Sequence, residues 1–398
     1  MQAVIILLGA NVRKVLVRLI DVKGDKVIDY STRSIEIPKY IIVKPAATEE
    51  LVTFLKMMKF DKVCFATQET VLDILPDLKE SIDRKNQSVF LIDEKLSMDH
   101  LITKLDFIHN MNPDALVGIG GGAVLDTVKF FGHILNIPLI LVPTLASNDG
   151  ICSPVVSMRL ESGRSDSLRA RMPFALFADM NIIYNAPKKY LYAGLGDIIS
   201  NISAVLDWEL SAKLTGEQLD YFAKTLSVMS YKSLLNFKRA NIDDENFVEM
   251  LVNSLITSGI SMEYAGNSRS ASGSEHMLSH AADMVFDTAF LHGHQTGFYT
   301  CVILKAYGTE LYEKVLELLC ELDFFSYLPQ ELFNSGIFLQ ILQLARSIRK
   351  RFTILNTLDD NQLIEVFENT VSEICHAISH TETSKARLEN EVSSLKSK

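Results

Sequence analysis

Ala115-Leu116-Val117-Gly118-Ile119-Gly120-Gly121-Gly122-Ala123-Val124-Leu125-Asp126 is the stretch on which the fold turns. It begins as a short uncharged run of apolar and small residues, the pattern of a strand buried on both faces. Three consecutive glycines follow, and Ala123-Val124-Leu125-Asp126 then opens a helical pattern. Glycine lets backbone approach a phosphate closely, and the first N–H groups of the helix attract an anion. Gly118-x-Gly120-x-x-Ala123 also fits the dinucleotide fingerprint. It stands after the third strand of its region rather than the first, and no acidic ribose reader lies at the usual distance. Strand, glycines, Asp126 and helix together predict a dinucleotide phosphate loop.

The same rhythm extends to both sides. Lys62–Ala66, Ser88–Ile92 and Leu139–Val142 read as further buried strands, and Thr48–Met58 and Asp99–Phe107 have helical spacing. Apolar strands joined by crossover helices predict a parallel α/β sheet, which binds ligands beyond the carboxyl ends of its strands. Val142-Pro143-Thr144-Leu145-Ala146-Ser147-Asn148-Asp149-Gly150 leaves the next strand at that same edge. Thr144 and Ser147 offer hydroxyls to a nucleotide, and Asp149 offers an acceptor to a substrate hydroxyl. Upstream, two β-rich runs around Lys23-Gly24-Asp25 suggest a hairpin. Beyond about residue 187 the strand signal stops. Helical patterns then cover 190–213, 217–237, 244–262, 276–286, 295–307, 312–319, 339–352 and 360–378. The polar last residues read as a helical extension or a frayed tail.

Of nine histidines in 398 residues, His276, His280, His292 and His294 fall in one short window. His276 and His280 share a helix face at i, i+4 spacing. Gly194-Leu195-Gly196-Asp197 begins an earlier helix. Two imidazoles and a carboxylate suit a divalent metal with an open coordination position, which lets the metal polarise a substrate oxygen. The spacing alone pairs His276 with His280 as ligands.

The remaining composition is restrictive rather than directive. Apolar residues are 48% and charged residues 22%, which excludes a disordered, collagen-like or coiled-coil chain. With 39 basic and 49 acidic residues the net charge is −10, unsuited to neutralising nucleic-acid phosphates. Five scattered cysteines without a CxxC pair favour a reducing compartment. The apolar run from Ala3 to Val12 is too short for a membrane span and lacks a basic start, so a cytoplasmic protein is expected. Length predicts two or three domains, and the change of rhythm reduces this to two. These are an α/β dinucleotide-binding domain over 1–187, with a hairpin extension over 1–40, and an all-α metal and substrate domain over 188–398.

Taken together, these segments resemble the sn-glycerol-1-phosphate dehydrogenases of the dehydroquinate synthase-like and iron-containing alcohol dehydrogenase superfamily, from about residue 40 to 357. The resemblance is carried by Gly120-Gly121-Gly122-x-x-x-Asp126, by Thr144-x-Ala146-Ser147-x-Asp149-Gly150-x-x-Ser153-Pro154 and by Gly194-x-Gly196-Asp197 with Asp207-Trp208-Glu209-Leu210. Ser272-Gly273-Ser274-Glu275-His276-x-x-Ser279-His280-Ala281 and Leu291-His292-Gly293-x-Gln295-x-Gly297 complete it. It implies an NAD or NADP-linked reduction of dihydroxyacetone phosphate to sn-glycerol 1-phosphate at one divalent metal ion, zinc first, with nickel or iron as alternatives. It gives the metal to Asp197, His276 and His292. Asp149, His280 and Asp197 contact the substrate, His280 as a candidate proton donor. Gly120, Gly121, Gly122, Asp126, Thr144, Ser147 and Ser153 line the cofactor. The implied partner is a small phosphorylated three-carbon substrate, with no nucleic acid and no membrane span, in a homo-oligomer.

Three features depart from that pattern. His294 stands where the family has Glu, which puts a second imidazole near the metal. Gln68 stands where many relatives carry an Asp that repels a 2′-phosphate, so NADP is not excluded. The N-terminal hairpin is longer than the family's. Rival readings are a glycerol, polyol or alcohol dehydrogenase, a dehydroquinate synthase-like cyclase, and a relative without activity. Sequence offers only Lys350 and Arg351 as phosphate-binding candidates, and no basic cluster near Asp197 or His276.

Overall fold

A computed structural model describes residues 34–76, 79–80, 82, 88–92, 98–159, 165–237, 240–286 and 290–396. The hairpin expected near residues 15–30 lies outside them. The described chain forms two compact units. The first holds the described residues through Ala186 together with Met262–Asn267, and the second holds Pro187–Ser261 and Ser268 onward.

The first unit is built on a six-stranded parallel sheet. Its strands are β1 (Tyr40–Lys44), β2 (Val63–Thr67), β3 (Ser88–Leu91), β4 (Ala115–Gly120), β5 (Leu139–Pro143) and β8 (Ala175–Asp179), in the order β1-β8-β5-β4-β2-β3. β2, β4, β5 and β8 are buried along their whole length, as continuous apolar runs in a covered parallel sheet must be. Sequence patterning finds β2 to β5. It passes over β1 and β8, and over the antiparallel pair β6 (Val155–Arg159) and β7 (Ser165–Arg169), whose interspersed polar residues weaken the apolar signal. Helices α1 (Leu51–Met57), α2 (Glu69–Asp73), α3 (Met98–Met111), α4 (Gly122–Leu135) and α5 (Met180–Asn185) accompany the strands. Phe54, Phe65, Val117, Ile119, Ile140 and Phe177 form the core of this unit. The chain moves outward from β2 to β3 and returns with β4 on the other side of β2. The carboxyl ends of β2 and β4 therefore flank a topological switch point, where sheets of this kind bind ligands.

The second unit is helical. It contains α6 (Lys188–Thr215), α7 (Tyr221–Leu235), most of α8 (Glu245–Ala265), α9 (Ser274–Val285), α10 (His292–Tyr307), α11 (Leu311–Glu321), α12 (Ser335–Ile348) and α13 (Asp360–Lys396). An α/β unit followed by a helical one is the expected fold class. α12 departs from the expected 339–352. The Asn334 side chain accepts from Ile337 N at 3.0 Å and starts the helix early, and Arg349 leaves it in an extended conformation. α6 and α10 pack unusually closely. A Cβ on Gly196 would collide with the carbonyl of Gly293, and one on Gly293 with the carbonyl of Ala193. Only glycine lets these backbones touch, and Asp197 and His292 adjoin the contact.

Candidate active site

In the first unit, Gly120 closes β4 and Gly121 caps α4. A Cβ on Gly120 would lie 2.8 Å from Val124 Cγ2, so the turn into the helix requires glycine. Thr67 Oγ1 donates to Ile119 O at 2.9 Å and ties the end of β2 to that of β4. Gln68 follows directly and precedes α2. Thr144 N donates to Gly120 O at 3.1 Å, which brings the second loop beside the glycine loop. Asn148 accepts from Gly150 N and starts a 3-10 turn over Asp149–Cys152.

Lys129, fully buried on α4, holds this second loop in shape. Its Nζ donates to Gly150 O at 2.9 Å and Val155 O at 2.6 Å, and pairs with Asp126 Oδ1 at 3.0 Å. Asp126 Oδ2 accepts from Ser157 N at 3.1 Å. Ser153 is buried beside the same ammonium. Two residues assigned to the cofactor by resemblance, Asp126 and Ser153, are thus engaged with Lys129 and the 148–157 segment. Lys129 itself escapes sequence reasoning, because a lysine in a helical pattern reads as a solvated position.

In the second unit, Asp197, His276 and His292 converge, each offering one donor atom within 4.8 Å of the others. Asp197 lies well inside α6 and is buried, rather than at a helix start. His276 Nε2 is 3.9 Å from Asp197 Oδ1. The ring of His280 sits 5.5 Å from that of His292 and 6.5 Å from that of His276, centroid to centroid, so the four residues form one group.

Neighbours set the state of both candidate imidazole ligands. His276 Nδ1 lies 2.7 Å from Oε1 of buried Glu275. Glu275 also accepts from Gly273 N and Ser203 Oγ. Burial, with Arg349 and Arg351 next in weight, holds the His276 pKa well below its ordinary value. The ring is therefore neutral, with Nδ1 against Glu275 and Nε2 on the side of Asp197. For His292 the hydrogen-bond inventory decides. Asp283 Oδ1 accepts from Gln295 Nε2 at 2.9 Å, which orients the amide. Ser279 Oγ donates to Gln295 Oε1 at 2.6 Å and lies 3.0 Å from His292 Nδ1. Having one proton, already given, Ser279 accepts from Nδ1–H and leaves Nε2 as the ligand atom. Metal sites commonly orient their imidazoles through such outer partners. Glu275, Ser279 and Gln295 stand in the motifs quoted above, but spacing does not show that they, with Asp283, orient the imidazoles. Ser279→Ala is expected to weaken divalent-metal affinity by about 10- to 100-fold while the protein stays folded. Competition with a graded chelator measures this, and unchanged affinity would refute the role.

His294 does not join the group. Its Nε2 lies 2.9 Å from Lys189 O, and its ring packs on Phe324 and Tyr327. Two residues along a helix turn a side chain by roughly 200°, so His292 and His294 face opposite ways. The expected second imidazole near the metal is thus corrected. So is the missing basic cluster. Arg349 and Arg351 both lie close enough to His276 to depress its pKa.

The family model for iron-containing alcohol dehydrogenases matches residues 42–187. Glycerol-1-phosphate dehydrogenase [NAD(P)+] of Thermococcus sibiricus is 38% identical over 285 residues, 71% of this chain and 80% of that protein. The chain belongs to the glycerol-1-phosphate dehydrogenase family. The Pyrococcus furiosus member is 33% identical over 334 residues, 80% of this chain and 93% of its own. The solved glycerol dehydrogenase of Schizosaccharomyces pombe, at 18% identity and a TM-score of 0.68, covers 88% of this chain and 93% of its own, a likeness of fold. In this glycerol-1-phosphate dehydrogenase family member the resemblance read from the motifs is confirmed. No described helix is long and apolar enough to cross a membrane.

Proposed function

We propose that this chain catalyses the reversible NAD(P)H-dependent reduction of dihydroxyacetone phosphate to sn-glycerol 1-phosphate at a centre formed by Asp197, His276 and His292. The observation that carries the reading is the donor set itself: one buried carboxylate and two imidazoles whose Nδ1 atoms lie against Glu275 and Ser279, with one donor atom of each residue within 4.8 Å of the others, in a chain of this family. These residues fit a divalent cation, and His280 beside them is left to the substrate. A bound divalent ion supplies a Lewis acid for the ketone oxygen. Asp197 contributes the anionic donor, while Glu275 and the Asp283–Gln295–Ser279 chain keep the imidazoles oriented. The glycines 120–122 and the opening of α4 offer backbone N–H groups to the cofactor's phosphates. Thr144, Ser147 and Ser153 belong to its nicotinamide side, and Asp149 to the substrate hydroxyl. Asp126 takes a supporting part, holding Lys129 and Ser157 in place.

Zinc is the metal we assign first, and the same donor set also accepts nickel and iron. Gln68, uncharged at the end of β2, admits either NAD or NADP. All five cysteines are free, consistent with a reducing cytoplasm. We assign a homo-oligomer to the same reading, and gel filtration with light scattering tests it. The decisive assay follows absorbance of NADH and of NADPH as purified, zinc-loaded protein meets dihydroxyacetone phosphate. Oxidation of the cofactor with formation of the sn-1 product supports the proposal. Faster oxidation of glycerol than of sn-glycerol 1-phosphate, or no net change in cofactor, defeats it.

A further inference from the structure

We propose that Arg349 is the anchor for the substrate's phosphate group, an inference that rests on the reading above of a phosphorylated ketone as substrate. Three basic residues follow α12 in sequence, and the structure separates their roles. Lys350 is exposed. Arg351 donates from Nη1 to Ser272 O at 2.9 Å and from Nη2 to Ser268 Oγ at 2.7 Å, and neither partner belongs to the imidazole group. Arg349 donates from Nη1 to Ser272 Oγ at 2.6 Å and from Nη2 to His280 Nε2 at 3.2 Å. It is half-buried, and its guanidinium borders the imidazole group that holds the candidate metal ligands.

The surroundings favour an anion at this place. Arg269, Arg349 and Arg351 crowd together, and the carboxylate of Glu217 is bound to Arg269. Burial first, then Arg349 and Arg269, push Arg351 down to about 9. Removing the positive charge of one arginine is thus favoured by the others, and a phosphate entering beside them relieves the same repulsion. The N-terminus of α9 is not the anion site. Gly273 N is taken by Glu275 and Ser274 N by Asp207. A guanidinium, by contrast, matches phosphate oxygens two at a time. The chemistry of the substrate sets the distance. In dihydroxyacetone phosphate a methylene and an ester oxygen separate the ketone carbon from phosphorus. His280, whose ring neighbours those of His276 and His292, touches Arg349 through its Nε2, which leaves the guanidinium one side chain away from the candidate metal ligands. The accepting role of that Nε2 also follows, because a guanidinium only donates.

The test compares Arg349→Met, Arg349→Lys and Lys350→Ala with the wild type, all metal-loaded. The preference in kcat/KM for dihydroxyacetone phosphate over unphosphorylated dihydroxyacetone is expected to fall about a hundredfold in Arg349→Met, mainly through KM. Arg349→Lys should recover part of it, and Lys350→Ala should match the wild type. Calorimetry with inorganic phosphate provides a readout independent of turnover, with binding to the wild type lost in Arg349→Met. Equal losses on both ketones would assign Arg349 to holding His280 and overturn the proposal. Phosphate binding that is absent from the wild type, or unaffected by Arg349→Met, would overturn it as well. A wild type that turns over neither ketone yet binds phosphate through Arg349 would sustain the anion site and defeat the proposed activity instead.

Discussion

Asp197→Ala is expected to leave a folded protein that neither retains a divalent metal nor turns over. Asp197 is the only carboxylate of the three; the other two donors are imidazoles, and burial lowers the pKa of His276. Outer-partner substitutions at metal sites weaken binding by about 10- to 100-fold, and loss of a charged ligand should exceed that. Without polarisation of the ketone oxygen, kcat/KM should fall by at least about a thousandfold, or ~4 kcal/mol of transition-state stabilisation. Stability supplies a second signature. In the metal-free state the variant has one fewer buried carboxylate to desolvate, so its melting temperature should match or exceed that of the metal-free wild type. Excess metal should raise the wild-type midpoint, by about 2.7 kcal/mol at a hundred times Kd, and leave the variant's unmoved. Elemental analysis, a zinc titration of the thermal midpoint and turnover measure these. A variant that keeps its metal and its rate would remove Asp197 from the site.

Gly293→Ala is the substitution with the largest expected effect on the fold. A Cβ there would fall on the backbone of Ala193, carbonyl oxygen, carbonyl carbon and Cα alike. Backbone in the middle of α6 has no rotamer with which to give way. Overpacking of a rigid contact costs roughly 3 kcal/mol or more, because α6 and α10 must separate. The same separation draws His292, adjacent on α10, away from Asp197 on α6, so metal affinity should drop along with stability. Gly196→Ala makes the reciprocal clash with the Gly293 carbonyl and should behave alike. Urea unfolding of both variants measures the loss. A change below about 1 kcal/mol in either would show that the helices shift freely, and that glycine is not what sets their approach.

These two sites show how unevenly the molecule is written in its sequence. The glycine loop is legible because a buried strand, its turn and its helix are consecutive. The local rules of periodicity and glycine conformation therefore act on one short segment. His276 and His292 are legible as a cluster, because they are close in sequence. What periodicity does not reveal is which neighbour orients each ring. His280 shares the helix face of His276, yet the spacing that suggested a ligand pair is met equally by a residue directed to Arg349. Arg349 itself reads as a helix-end cation, since nothing local distinguishes it from Lys350. Lys129 reads as solvated, and is fully buried under a loop that starts more than a dozen residues later.

The sequence by itself determined the class of fold, the change near residue 187 from strand to helix, the glycine turn between β4 and α4, and the clustering of histidines. Each of these rests on interactions within one or two elements, where spacing alone fixes geometry. Tertiary structure decided the strand order that makes β2 and β4 a switch point, the turning of His294 to Lys189, the hydrogen-bond partners of His276 and His292, and the approach of Arg349 to His280. Each joins residues distant in the chain, or turns on which side of a helix is buried. Packing sets those, not propensity.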